Sequence, residues 1–184
     1  MSRKYKIRNQ DKLYFVTLTV VEWIDLFTRQ EYRDIFIGSL KFCQAKKGME
    51  LCAYCIMSSH IHFIIGRNGE VALEAILRDL KKYTAVQFIK SIQSSETESR
   101  QAFLLDHFGK AGRKNPNNLN FQVWQQHNHP IELNSPGKIT RCLHYIHQNP
   151  VEAGIVLSAE EYLYSSAASY AGSKEKLIDL VFIE

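Results

Sequence analysis

The chain has 184 residues, of which 45% are hydrophobic and 23% charged, with a formal net charge of +4. That length predicts a single domain over residues 1–184, and the composition is ordinary for a globular chain able to bury a core. No apolar run reaches the ~20 residues of a membrane helix, and no apolar stretch with a cleavage site follows the basic start Met1-Ser2-Arg3-Lys4, so neither a spanning segment nor a secretory leader is expected. The mild basicity is compatible with nucleic acid without demanding it. Leu13 to Val21 is rich in β-branched and aromatic residues and predicts a strand. Glu31 to Lys47 predicts a helix: Ile35, Ile37, Leu40 and Phe42 supply an apolar stripe, and Gly48 stands where a C-terminal stop belongs. A second apolar run, Met49 to Met57, leads through Ser58-Ser59 into His60 to Ile65, which predicts two antiparallel strands joined by a tight turn.

Cys52 and Cys55 have the CxxC spacing of a zinc knuckle or a redox pair, but no second CxxC follows. On a strand, residues three apart point to opposite faces, so the two thiols are expected to diverge. Together with Cys43 and Cys142 they read as reduced cysteines, which places the chain in the cytoplasm.

Val71 to Ile92 returns to helical periodicity, with Leu73, Ile76, Leu77, Leu80, Tyr83, Thr84 and Phe88 on one face and Lys81, Lys82 and Lys90 on or beside the other. Residues 93–120 change character and read as a polar insertion within the domain, with one short helix near Gln101 to Phe108. Order resumes from Phe121 to Leu133, anchored by Trp124. Ser135 then offers an N-cap and Pro136 a first helical position, for a helix that should stop before Pro150. A short strand is expected between Val151 and Ala171, and the apolar tail Leu177 to Ile183 reads as a final strand.

Two groups of residues carry candidate chemistry. On a strand His60 and His62 project from the same face, with Cα atoms about 6.5–7 Å apart, near enough to share one divalent ion. The pair is either a metal half-site lacking its third ligand or two surface histidines. Tyr145 and Asn149, four residues apart, share a helix face. An amide oxygen suits Mg²⁺ or Mn²⁺, and a neighbouring cation favours the phenolate that a tyrosine nucleophile needs. Alternatively the tyrosine is a packing residue and the asparagine a helix stop. Trp124, Tyr54 and Tyr83 are candidate base-stacking residues that read equally as core. His127, His129, His144 and His147 cluster near Tyr145 in sequence and are not expected to be ligands.

Met57-Ser58-Ser59-His60-Ile61-His62 resembles the Met-Pro-Asn-His-Val-His signature of the HUH single-tyrosine transposases. Tyr145-Ile146-His147-Gln148-Asn149-Pro150-Val151-Glu152-Ala153-Gly154 resembles the Tyr-Ile-x-x-Asn-Pro-Val-x-x-Gly block of the REP-associated branch of that family. Trp124 before this block and Tyr164-Ser165-Ser166 after it also fit, so the likeness runs from about Lys12 to Tyr170. The resemblance implies an α+β fold, a ferredoxin-like antiparallel sheet with helices on one face. It implies a metal (Mg²⁺ or Mn²⁺) held by His60, His62 and Asn149, with Tyr145 as the nucleophile. It also implies cleavage and rejoining of single-stranded DNA beside a hairpin through a 5′-phosphotyrosine link. Ser58-Ser59 departs from the usual Pro-Asn, altering the turn but not the ligands.

Lys81, Lys82, Lys110, Arg113 and Lys114 are candidate DNA contacts, with a solvated charged face as the alternative for each. Two other readings remain for the whole chain: a nucleic-acid-binding protein of the same fold without turnover, and a zinc hydrolase in which Tyr145 is structural. The second lacks a His-Glu-x-x-His motif. A homodimer is favoured, with the apolar tail as a pairing surface.

Overall fold

The computed structural model of the chain describes residues 7–116 and 120–183; the basic residues 1–4 and residues 117–119 of the polar segment lie outside the described residues. In chain order the elements are β1 (Tyr14–Thr19), α1 (Gln30–Lys47), β2 (Met49–Ile56), β3 (His60–Arg67), α2 (Leu73–Ser94), α3 (Gln101–Arg113), β4 (Ile131–Glu132), α4 (Pro136–Glu152) and α5 (Ala167–Tyr170). Short 3-10 turns, Val21–Trp23 and Leu26–Thr28, lie between β1 and α1. The four strands form one sheet in the order β2-β3-β1-β4, with every pairing antiparallel. This is the ferredoxin-like arrangement expected, in which β1 and β3 are central.

Strand alternation divides the core in two. Tyr14, Val16 and Leu18 of β1 and Ile61, Phe63 and Ile65 of β3 point to the larger core, which α1, α2 and α3 cover. Phe27, Phe36, Phe88 and Trp124 meet there with ring centroids 5.7–6.0 Å apart. Each such fully buried ring or aliphatic side chain contributes on the order of 1.5–3 kcal/mol. The Trp124 indole donates to Thr84 Oγ1 at 2.9 Å, which satisfies its one polar atom. The opposite face carries Phe15, Ile64 and Ile146 in a smaller core beneath α4. Helices therefore cover both faces, whereas one face was expected, because Ile146 and its neighbours give α4 an apolar stripe of its own.

Gly48 ends α1 in the left-handed conformation (φ 67°), and a Cβ there would collide with the Asn68 carbonyl oxygen. Four other expectations change. Cys52 and Cys55 do not diverge, because a register shift between Leu51 and Ala53 inserts a bulge that brings both into the core beneath α4. Burial pushes both thiols up to about 12, which keeps them protonated, and both are free. Helix α4 runs past Asn149 to Glu152 with Pro150 inside its last turn, where the missing N–H forfeits only one bond. The short helix expected near Gln101–Phe108 extends to Arg113 as α3, with Leu104 and Phe108 burying one side of it. Glu98 fixes the turn before α3, accepting from the Tyr32 hydroxyl at 2.9 Å and the Arg100 amide at 3.0 Å.

Neither strand expected after Val151 forms: residues 151–171 hold a 3-10 turn and α5, and among the described residues the tail makes one backbone-to-backbone bond, Val181 N–H to Leu51 O at 2.9 Å, without a ladder. Ile178 of the tail is buried and Leu177 packs on the larger core, so much of that apolar segment is used within the chain itself. No helix among the described residues is long and apolar enough to cross a membrane.

Candidate active site

The sheet register puts Thr17 opposite His62 and Thr19 opposite His60, on the face that α4 covers. The two imidazole centroids are 4.7 Å apart. Tyr145 comes from α4 to the same spot: its ring centroid is 5.1 Å from that of His62, and its hydroxyl is 3.5 Å from His62 Nε2. Asn149, one turn further along α4, lies beside His60 and raises its pKa. Four residues from two sequence regions more than 80 positions apart thus meet, because the central strand β3 and α4 cross there.

The immediate surroundings hold these rings in place. His62 is 5% exposed, stacks on Phe15 at 5.5 Å, and has Nδ1 2.8 Å from Thr17 Oγ1. His60 Nδ1 lies 3.2 Å from Ser59 Oγ. With each Nδ1 engaged by a hydroxyl, Nε2 is the nitrogen available for a ligand. Burial pushes His62 down to about 3, with the neighbouring His60 adding to the effect. Burial also lowers His60, partly offset by the neighbouring Asn149 amide and the charge of Asp25. Both imidazoles are therefore neutral near pH 7 and keep their lone pairs. The Tyr145 hydroxyl belongs to a residue 44% exposed, open to a strand arriving from solvent.

Two neutral imidazoles and an amide oxygen fit a divalent ion such as Mg²⁺ or Mn²⁺. Among the described residues no group of three or more His, Cys, Asp or Glu side chains is placed to hold a metal.

Ser59 replaces the usual asparagine of the turn and still belongs to the site, through His60 and through its carbonyl, which accepts from Val20 N–H at 2.9 Å. Thr17, Phe15 and Trp23 had no signal in the sequence, because only strand register and a loop conformation bring them to the histidines. Trp23 is 5.3 Å from His60, ring to ring, at 71°. Glu22 and Trp23 both have φ 56°, the left-handed region, which costs a non-glycine residue roughly 1–2 kcal/mol.

The candidate basic contacts are dispersed. Lys81 turns inward, donating to Gln125 O at 2.6 Å and Asn128 Oδ1 at 2.7 Å, and burial pushes its ammonium down to about 8. It clamps the segment that runs beside β1. Lys82 lines the groove between α1 and α2, together with Phe42 and Tyr83, on the face of the sheet away from α4. Lys110 pairs with Asp106 at 2.6 Å within α3, and Arg113 ends that helix. Lys114 alone of the five lines a cleft that also contains Glu22, next to Trp23. Of the other candidate stacking residues, Tyr54 and Trp124 are core and Tyr83 is exposed in the α1–α2 groove. His147 bonds Ser166 Oγ at 2.9 Å and ties α4 to the segment before α5, away from the His60–His62 pair.

A family model described as IS200-like transposase matches residues 14–109, from β1 into α3, including both histidines but not α4. The chain belongs to the IS200-like transposase family. The structure of a REP-associated tyrosine transposase bound to a REP hairpin is similar over 100% of this chain and 94% of that one, with a TM-score of 0.62 and 16% identity. A protein described as a transposase from Deinococcus radiodurans R1 is similar over 79% of this chain and 94% of its own, with a TM-score of 0.43 and 16% identity. At that identity the first match speaks for the shared fold. No curated protein matches the chain.

Proposed function

We propose that this member of the IS200-like transposase family cuts and rejoins single-stranded DNA beside a hairpin, with Tyr145 as the nucleophile and His60, His62 and Asn149 holding Mg²⁺ or Mn²⁺. The observation that carries the reading is the Tyr145 hydroxyl 3.5 Å from His62 Nε2, with Asn149 of the same helix beside His60. A structural tyrosine on α4 has no reason to point its hydroxyl at the buried, neutral imidazole of His62.

Tyr145 Oη attacks the phosphorus and its proton passes to the solvent that reaches the hydroxyl. A bond from tyrosine oxygen to phosphorus forms as the bond from phosphorus to the 3′ oxygen breaks. The leaving strand takes up a proton as a 3′-OH, and the other strand stays linked to Tyr145 through its 5′ phosphate. Attack by a 3′-OH on the same phosphorus reverses these changes and frees Tyr145, so rejoining needs no ATP. The bound ion would supply positive charge next to the phosphate oxygens, where charge accumulates in the transition state. Ser59 and Thr17 orient the two rings, and Phe15 closes the side of His62 away from the strand.

The REP-associated branch is favoured by the Tyr145–Gly154 block and by the likeness to a protein solved with a REP hairpin. The test is a labelled, hairpin-bearing strand incubated with the protein and Mn²⁺, then run on a denaturing gel. A covalent adduct is expected with wild type and absent from Tyr145→Phe. Adduct from Tyr145→Phe removes the nucleophile assignment. Tight binding of the strand without any wild-type adduct makes this a binding protein of the same fold.

A further inference from the structure

Trp23 is 59% exposed, although it sits beside a site whose other aromatic neighbour, Phe15, is buried. Its indole meets the His60 ring edge to face and packs into neither core. The backbone that presents it is held firmly in an unfavourable conformation. Val20 N–H donates to Ser59 O at 2.9 Å, Val21 N–H to Val123 O at 2.8 Å, and Trp23 N–H to Val20 O at 3.1 Å. Two consecutive left-handed residues, neither of them glycine, persist only where the surroundings over-determine them, and such strain concentrates at functional sites.

An open cleft of about 650 Å³ begins at Glu22, the residue before Trp23, and is lined by Lys114, Gln125, Gln126, His127 and His129. The amides and imidazoles there can bond base edges, and the lysine can meet a phosphate. Glu22 puts a carboxylate on the rim, 3.9 Å from His107 Nε2. Lys81 holds the Gln125–Asn128 wall from below, so the cleft is braced.

We infer that Trp23 is the stacking platform for the nucleobase next to the phosphate at His60 and Tyr145, and that the cleft beyond Glu22 takes the following stretch of the same single strand. The inference rests on the reading that this site handles single-stranded DNA. A rigidly held, solvent-facing indole gives a flat apolar surface at little entropic cost, and any base can stack on it. Trp23 therefore sets affinity and position, and sequence preference falls to the amides of the cleft.

The experiment uses the full chain carrying Tyr145→Phe, so that a hairpin oligodeoxynucleotide with single-stranded flanks stays intact. The chain contains two tryptophans, and Trp124 is buried in the core. Binding should quench Trp23 emission, and 2-aminopurine moved along the flank should lose fluorescence at one position above the others. Trp23→Ala should weaken binding by about 5- to 150-fold, the equivalent of one stacked base, with Trp23→Phe recovering part of it. Unchanged Trp124 emission in both variants confirms the fold. In the Tyr145-containing protein, Trp23→Ala should raise the strand concentration for half-maximal adduct more than it lowers the plateau. Binding within twofold of the parent, or no quenching, overturns the platform even if the wild type forms adduct. Quenching without adduct leaves the platform standing and overturns the nuclease reading instead. A strand that does not bind at all overturns both.

Discussion

Replacing Thr17 with valine removes one hydroxyl and little else, since the two side chains have nearly the same shape. That hydroxyl lies 2.8 Å from Nδ1 of His62, a ring only 5% exposed, so the nitrogen loses its partner without gaining water. A buried polar atom left unsatisfied costs about 1–3 kcal/mol. In a chain of this size that is roughly 2–12 °C in melting temperature, at about 2–4 °C per kcal/mol. The chemical consequence is larger than the thermal one. Without Thr17 neither the tautomer nor the tilt of His62 is set, and removing such a partner typically weakens metal binding or activity by about 10- to 100-fold. The half-maximal Mn²⁺ concentration for adduct formation should therefore rise about 10- to 100-fold in Thr17→Val, and Thr17→Ser should restore it. A Mn²⁺ midpoint within twofold of wild type, in a protein that melts as a single transition, would refute both the orienting role of Thr17 and the choice of His62 Nε2 as the ligand atom.

Three further outcomes can be measured. Glu98 is 5% exposed; burial would raise its carboxyl, but the Arg100 amide, the Tyr32 hydroxyl and the Arg100 guanidinium together hold it below its ordinary value. Its stabilisation is thus complete above the usual glutamate pKa of ~4.3 and is lost as pH falls through the lower folded value. Glu98→Gln should cost about 1–3 kcal/mol at pH 7 and flatten the acid limb of a circular-dichroism melting series. An unchanged limb would place the acid sensitivity elsewhere. Gly112→Ala would put a Cβ 2.6 Å from Asn120 O and 2.8 Å from Phe121 Cα, both backbone atoms. Overpacking of that kind costs about 1–3 kcal/mol, and a melting temperature equal to wild type would show that the segment around Asn120 can move aside. Lys81→Met releases the carbonyls of Gln125 and Gln126. Amide exchange over residues 125–128 should then rise at least tenfold, equivalent to ~1.4 kcal/mol of lost protection, with α2 itself unchanged.

Much of the architecture follows from residue order alone. Alternation in Leu13–Val21 and His60–Ile65, helical periodicity in Glu31–Lys47 and the Ser135-Pro136 start each depend on neighbours within a few positions, so local chemistry determines them. The motif pairs also place His60 beside His62 and Tyr145 one turn before Asn149, since strand and helix periods are fixed distances along a chain. What lies between such pairs is decided elsewhere. The bulge at Cys52 exists only in the pairing of β2 with β3, and it reverses the expected parting of the thiols. The helix from Gln101 runs beyond Phe108 to Arg113, and the tail stays irregular with Ile178 drawn into the core that also holds Phe108.

The histidine pair, the tyrosine and the asparagine are therefore sequence features, and their convergence is a tertiary one. Thr17, Phe15 and Trp23 join the site only because β1 pairs with β3, α4 takes the face opposite α1, α2 and α3, and two strained residues turn an indole outward. No local pattern encodes those contacts. They are set by which surfaces are buried together when the whole chain closes on its sheet.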